Sequence, residues 1–111
     1  MITTSYFKNI RNVNNPISIS RFPPNWYNGE CFIELAPTKE LLFDKKQGKI
    51  NNEEYTIRYH KETLSQLNPQ EIYDKLDSYT LLCYEEKGKF CHRHLVKNWL
   101  EYELGVEINE L

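Results

Sequence analysis

The chain has 111 residues, which is enough for one domain with a single hydrophobic core. Hydrophobic residues make up 40% and charged residues 27% of the chain, which is typical of a globular protein. With 14 basic and 16 acidic residues, the net charge of −2 does not attract the molecule to nucleic acid or to an anionic membrane surface. We therefore expect neither nucleic-acid binding nor membrane association.

Neither a transmembrane helix nor a signal peptide is indicated. No apolar stretch is long enough to span a bilayer, and the N-terminus lacks the basic-then-apolar pattern of a secretory signal. These features predict a cytoplasmic location. In that reducing compartment the three cysteines, Cys31, Cys83 and Cys91, are expected to be buried thiols, metal ligands or reactive groups rather than a disulfide framework.

The N-terminal third contains two strand patterns and a long loop. Residues 2–6 are rich in strand-forming residues, and residues 16–21 alternate between apolar and polar side chains. About ten residues separate them, with a helical turn expected near Phe7, and this is close to the minimum for joining parallel strands. Residues 22–37 contain Pro-Pro and Asn-Gly pairs and are predicted to be a loop, a setting in which functional residues are frequent.

The rest of the chain contains helix signals interrupted by two further strands. Residues 79–84 form the most apolar strand pattern, so we expect this strand at the centre of the sheet. Residues 106–108 alternate and are predicted as the last strand. Helix starts are indicated by capping residues, and one is followed by proline at the first helical position. The predicted helices cover residues 38–48, 51–67, 68–76 and 91–104.

This order of elements predicts one domain, residues 1–111, of α/β class: a small three-layer Rossmann-like domain with a mostly parallel four-stranded sheet. Ligands of such sheets bind beyond the carboxyl ends of the strands. The residues that we expect at this edge are Ser5, Tyr6, Arg21, Cys83, Glu85, Cys91, His92 and Arg93.

Cys91 begins the last predicted helix, followed by His92, Arg93 and His94. A helix N-terminus stabilises negative charge, so Cys91 has surroundings typical of a nucleophilic thiolate, with His92 and Glu85 as acid–base partners. The alternative interpretation is a small buried hydrophobic residue at a helix–strand junction. Helical spacing places His92 toward the sheet and His94 toward solvent.

Anion binding is predicted from the arginines. Arg21 ends the second strand, where its guanidinium would bind phosphate or carboxylate, or would instead form an ion pair with Glu85. Arg93 and the helix N-terminus would contribute to the same site, together with Ser5, Tyr6 and Cys83. In the long loop, Trp26 and Tyr27 are interpreted as a lid, or alternatively as a cap on the core.

No metal or other cofactor is predicted. Cys83, Cys91, His92 and His94 are ligand types that zinc prefers. Their spacing matches no structural zinc pattern, however, and histidines on opposite sides of a helix cannot converge on one ion.

Three segments of the chain carry a family resemblance: "ITTSYF" (2–7), "ISISRFPP" (17–24) and "LLCYEEKGKFCHRHLVKNWL" (81–100). With these, the chain resembles the small-domain branch of the family called domain of unknown function 488. The resemblance implies a compact α/β fold over the whole domain and no agreed activity. It also implies recurrent polar residues at the positions of Arg21, Cys83, Glu85, Cys91, His92 and Arg93. Ser20 stands where longer members usually have an acidic residue.

The favoured hypothesis is an anion- or nucleotide-binding site at the carboxyl edge of the sheet, in an enzyme that uses Cys91, His92 and Glu85. Two alternatives stay open: a ligand-sensing or protein-interaction module without turnover, and a cysteine-based redox or metal-responsive protein. The expected partner is a small anionic or nucleotide-like ligand. Neither the reaction nor the oligomeric state is indicated by the sequence.

Overall fold

The computed structural model describes residues 1–111 and contains a fully parallel sheet of five strands. The predicted α/β class is confirmed, with one strand more than expected. The strands, with the sheet order β3-β2-β4-β1-β5, are β1 (Thr3–Tyr6), β2 (Pro16–Ser18), β3 (Glu30–Cys31), β4 (Thr80–Cys83) and β5 (Asn109–Glu110).

The additional strand, β3, lies within the segment that was predicted to be a loop. It has only two residues, both exposed, so no alternation of apolar and polar side chains could indicate it. The final strand, which pairs with β1, lies at Asn109–Glu110 rather than at 106–108. Ile108, which was predicted to be in it, is buried in the core just before it begins.

Four α-helices connect the strands: α1 (Lys39–Lys46), α2 (Asn52–Glu62), α3 (Pro69–Leu76) and α4 (His92–Leu104). Short 3₁₀ segments lie at Phe7–Asn12, Ile33–Leu35 and Leu64–Gln66. None of the helices is long and apolar enough to cross a membrane.

The capping signals act as expected. Thr38 accepts a hydrogen bond from the Leu41 amide at the start of α1. Asn51 and Glu54 form a reciprocal capping box at the start of α2. Asn68 caps α3, in which Pro69 is the first residue. Local chemistry therefore determines where three of the four helices begin.

Strand β4 lies at the centre of the sheet and all of its residues are buried, as its apolar sequence predicts. Leu81 and Cys83 face the main core, which all four helices contribute to. Leu82 faces the other side of the sheet, where Phe7 and Tyr27 pack on it. That second side is covered by the 3₁₀ segment Phe7–Asn12 and the loop after β2 rather than by long helices.

A buried ion pair joins α4 to the edge of the sheet. The fully buried guanidinium of Arg93 donates to both carboxylate oxygens of Glu110, with an Nη2–Oε2 distance of 2.8 Å. The hydroxyl of Thr4 also donates to Glu110, at 2.5 Å. Burial acts to raise the pKa of Glu110, but these hydrogen bonds outweigh it and hold the pKa below the usual value. The pair therefore connects α4, β1 and β5.

Replacing Glu110 by Gln should lower the free energy of unfolding by about 3 kcal/mol, because it leaves the buried guanidinium of Arg93 without a counter-charge. Glu107 is exposed and makes no ion pair, so Glu107→Gln is the matched control and should change stability by less than about 0.5 kcal/mol. Urea denaturation measures both variants. Equal stabilities for the two variants would contradict a structural role for the pair.

Candidate functional site

A cleft of about 600 Å³ opens at the carboxyl ends of β2 and β4. Its volume lies within the range of small-molecule sites, roughly 300–1,000 Å³. It brings together five of the residues that the sequence predicted for the site: Arg21, Cys83, Glu85, Cys91 and His92. Residues from β4, α1, α2, the start of α4 and the segment that follows β2 therefore meet around one space.

A second depression of about 650 Å³ lies between α2 and α4, lined by Ile57, Lys61, Trp99 and Tyr102 among others. It is the more open of the two and contains none of the predicted site residues. None of its lining side chains has a buried polar atom without a partner. The cleft at the strand ends is therefore the better candidate.

The cationic side of the cleft consists of Arg21, Lys45 and Lys46. The Nε of Arg21 donates to the carbonyl oxygen of Pro37 at 2.7 Å, which orients the guanidinium, and the side chain forms no salt bridge with Glu85 or with any other carboxylate. Glu85 is the only acidic residue in the lining and is exposed. With three cationic side chains and one carboxylate in its lining, the cleft therefore favours the binding of an anion.

Ser20 contributes a buried hydroxyl to the same cleft. The residue is 6% exposed, and its Oγ has no hydrogen-bond partner within the protein. A buried polar atom without a partner costs free energy, so such atoms are few in folded proteins. The position next to Arg21 makes this hydroxyl available to a bound molecule.

Cys83 and Cys91 are joined by a disulfide, and their Cα atoms are 7.0 Å apart. A disulfide was not the favoured interpretation of the cysteines, and for these two that expectation is wrong, whereas a redox pair was one of the alternatives left open. The bond forms where the end of β4 and the start of α4 meet at one edge of the sheet. Cys31 is free and exposed at the end of β3. The Nη1 of Arg93 donates to the Sγ of Cys83 at 3.3 Å.

His92 is buried and neutral. Its Nε2 lies 2.7 Å from the carbonyl oxygen of Ile19, which can only accept, so Nε2 carries the proton and Nδ1 does not. Burial lowers the pKa of His92 to about 4, and the neighbouring charges of Arg93 and His94 act in the same direction, against the effect of the Ile19 hydrogen bond. A ring nitrogen of His92 and the sulfurs of Cys83 and Cys91 all lie within 4.8 Å of one another.

The N-terminus of α4, whose residues Cys91 and His92 line the cleft, has backbone amides without acceptors. Cys91 is the N-cap residue, and its side chain makes no capping hydrogen bond. The backbone amides of His92 and Arg93 have no acceptor in the protein. A helix of thirteen residues with an uncapped start carries a partial positive charge there.

Five of the predicted site residues lie outside the cleft. Arg93 forms its ion pair with Glu110 and does not line the cleft. Ser5 accepts a hydrogen bond from the Asn9 side chain on the opposite face of the sheet. The others, none of which lines the cleft, are Tyr6, Trp26 and Tyr27.

Tyr27 is buried and donates to the Glu30 carbonyl oxygen at 2.5 Å, while Trp26 packs edge-on against Phe7. Both therefore lie on the far side of the sheet, at the small core of Phe7, Tyr27 and Leu82, and neither lies over the cleft. The aromatic rim of the cleft comes from Phe22 and Tyr84 instead, which are connected by a hydrogen bond from the Tyr84 hydroxyl to the Phe22 carbonyl oxygen.

Sequence reasoning missed Lys45 and Lys46, because basic residues in the last turn of a helix are explained by the helix dipole alone. His94 was expected to face solvent but is half-buried, with an Nε2 atom that has no hydrogen-bond partner. Burial lowers the pKa of His94, and the charge of Arg93 adds to this effect.

Comparison with known proteins yields one match. The family model DUF488-N3a, described as the active DUF488-N3 subclade, matches residues 8–104. This agrees with the resemblance that the sequence motifs indicate. No curated protein and no solved structure matches the chain significantly.

The pKa of His92 is about 4 in the folded protein and 6.5 in the unfolded chain. Between pH 4 and pH 6.5, this imidazole is therefore protonated in the unfolded chain but neutral in the folded protein. Stability should therefore fall as the pH drops from 6.5 to 4, by a few kcal/mol in total, roughly 1.4 per pH unit. Urea denaturation across this range should show a shallower pH dependence in His92→Asn than in the wild type. The exposed His60 provides the control: His60→Asn should leave the wild-type slope unchanged.

Proposed function

Because the chain belongs to the DUF488 family, we propose that it is an enzyme acting on a small anionic substrate in the cleft at the carboxyl ends of β2 and β4, with Cys91 as the nucleophile. The description of the matched subclade as active favours turnover over a purely sensing role. The observation that carries the proposal is the convergence in one cleft of a guanidinium without a carboxylate partner, a buried hydroxyl without a hydrogen-bond partner and a cysteine.

Anion binding is assigned to Arg21 and Ser20, with Lys45 and Lys46 on the rim. Arg21 has no carboxylate partner, so an incoming phosphate or carboxylate does not have to displace one. The hydroxyl of Ser20 would donate to the same group and thereby gain its missing partner. A serine at this position, rather than the acidic residue of longer family members, also removes a negative charge that would repel an anion.

Cys91 is assigned as the nucleophile because it occupies the N-cap position of α4 and is the more exposed of the two cleft cysteines, at 8% against 0% for Cys83. In the reduced chain, the free amides at the helix start favour the thiolate. The substrate anion bound by Arg21 would lie in the same cleft as this sulfur.

The acid–base role falls to Glu85 rather than to His92. Glu85 lies in the exposed turn at the mouth of the cleft and lines the same space as Cys91. His92, with a pKa of about 4 and its proton donated to Ile19, is a weak base at neutral pH. We assign His92 to positioning, because its ring fixes the start of α4 against the chain that leaves β2.

Replacing Arg21 by Gln should weaken binding of inorganic phosphate by about tenfold or more, because a charge-assisted hydrogen bond contributes roughly 1.5–3 kcal/mol. Isothermal titration calorimetry measures the dissociation constant, and thermal unfolding without phosphate checks that the variant folds. Arg11 is exposed and lies outside the cleft, so Arg11→Gln should bind phosphate like the wild type. The same loss in both variants would indicate non-specific charge attraction and would contradict the site.

In protein reduced with dithiothreitol, iodoacetamide at mildly acidic pH should alkylate Cys91 on the order of tenfold faster than Cys31, despite the greater exposure of Cys31. Peptide mass spectrometry distinguishes the two residues, and unreduced protein should be alkylated at Cys31 alone. Slower alkylation of Cys91 than of Cys31 would contradict its assignment as the nucleophile.

A further inference from the structure

The second cysteine of the cleft has no role in the function proposed above, yet it is bonded to the nucleophile. We propose that Cys91 and Cys83 form a catalytic dithiol that reduces a small, carboxylate-bearing disulfide: Cys91 attacks the substrate, and Cys83 then resolves the mixed disulfide. This inference rests on the assignment of Cys91 as the nucleophile and adds the substrate class and the second catalytic residue.

The two cysteines differ in access in the way that this order of events requires. Cys91 is 8% exposed at the N-cap of α4, whereas Cys83 is fully buried at the end of the central strand. A substrate sulfur entering the cleft therefore reaches Cys91 first. Cys83 lies within bonding reach of Cys91 and needs no direct contact with the substrate.

Arg93 provides the means of ionising the buried cysteine. Burial in an apolar strand disfavours a thiolate at Cys83. The guanidinium of Arg93 uses Nε and Nη2 for Glu110, and its Nη1 donates to the Sγ of Cys83 at 3.3 Å. A hydrogen bond from a charged donor stabilises the thiolate, which acts as the attacking group in one direction and as the leaving group in the other.

The exchange balances in two steps. The thiolate of Cys91 attacks one sulfur of the substrate disulfide, forming a mixed disulfide and releasing the first substrate thiolate, which takes a proton from solvent. The thiolate of Cys83 then attacks the sulfur of Cys91, forming the Cys83–Cys91 disulfide and releasing the second thiolate. The substrate gains the two electrons that the dithiol loses. A low-molecular-weight dithiol restores the enzyme by the reverse exchange and becomes a disulfide itself.

The charge of the cleft indicates the kind of disulfide. Arg21, Lys45 and Lys46 face the space in which the substrate must lie, and Glu85 at the mouth is the only carboxylate in the lining. Carboxylates on the substrate would pair with these cations, and the aliphatic disulfide would contact the apolar surface of Phe90 and Leu42. A cationic disulfide would be repelled by the same groups.

The experiment uses full-length reduced protein in a Cys31→Ser background, which removes the exposed thiol. The probes are oxidised glutathione, which is anionic, and cystamine, a cationic disulfide of similar reactivity. With oxidised glutathione, the chain with both cleft cysteines should lose two hydrogens and release two equivalents of thiol. Additional replacement of Cys83 by Ser should trap one glutathionyl group on Cys91, and replacement of Cys91 by Ser should leave Cys83 unmodified.

At low ionic strength oxidised glutathione should react on the order of tenfold faster than cystamine, and Arg21→Gln should reduce that preference. An adduct on Cys83 in the Cys91→Ser variant, no trapped adduct in the Cys83→Ser variant, or a faster reaction with cystamine would overturn the inference. So would native mass spectrometry showing stoichiometric zinc on the reduced protein together with no exchange, since Cys83, Cys91 and His92 would then be metal ligands.

Failure of this inference is distinguishable from failure of the proposed function. If Cys91 is alkylated rapidly and phosphate binds but no mixed disulfide forms, the anion site and the nucleophile remain and only the disulfide substrate is wrong. If Cys91 is also slower than Cys31 toward iodoacetamide, the nucleophile itself is wrong.

Discussion

The buried pair between Arg93 and Glu110 is the constraint on which the site depends. Removing a guanidinium from water is costly, and this one is fully buried, so its donors must be satisfied within the protein. Glu110 satisfies two of its nitrogens, and the Cys83 sulfur accepts from the third. Because Arg93 belongs to the first turn of α4, these contacts fix where the helix begins, and Cys91 and His92 are placed with it.

The cleft combines this rigid wall with a cationic side supplied by other parts of the chain. Arg21 follows β2 and is oriented by the carbonyl oxygen of Pro37, whereas Lys45 and Lys46 come from the end of α1. Two kinds of positive charge therefore border the same space, one on side chains and one at the uncapped start of α4. The neutral His92 adds no charge and connects α4 to the backbone of Ile19.

Much of the fold could be predicted from local patterns. A run of apolar residues predicted the central strand correctly. Residues that can cap a helix predicted where helices begin, and the spacing of apolar residues along the last helix predicted that His92 faces the sheet. Arg21 was predicted for the site as the last residue of the second strand; the strand ends at Ser18 instead, and Arg21 lines the cleft from the segment that follows. Each of these inferences uses residues that are close together in the chain, because hydrophobic periodicity and helix capping are both properties of short segments.

The features that were not predicted depend on contacts between segments that are distant in the sequence, or on strands too short to show an alternation of apolar and polar residues. The partner of Arg93 comes from a strand seventeen residues later, so the arginine looked free to bind an anion. Tyr27 belongs to the core on the far side of the sheet and the exposed Trp26 packs against Phe7 of that core, a placement that only the path of the loop decides. Cys83 and Cys91 were expected at the same edge of the sheet, but whether their sulfur atoms bond depends on the spacing between a strand end and a helix start, which local patterns do not give.

The outer strands of the sheet, β3 and β5, have only two residues each. An exposed strand edge presents unpaired amides and carbonyls on which another chain can add a strand, and this is a common route to aggregation. Edges this short offer few such groups in a row, and the longer strands β1, β2 and β4 lie inside them. The sheet is therefore poorly suited to growing by strand addition at either side, a form of protection that needs no covering helix.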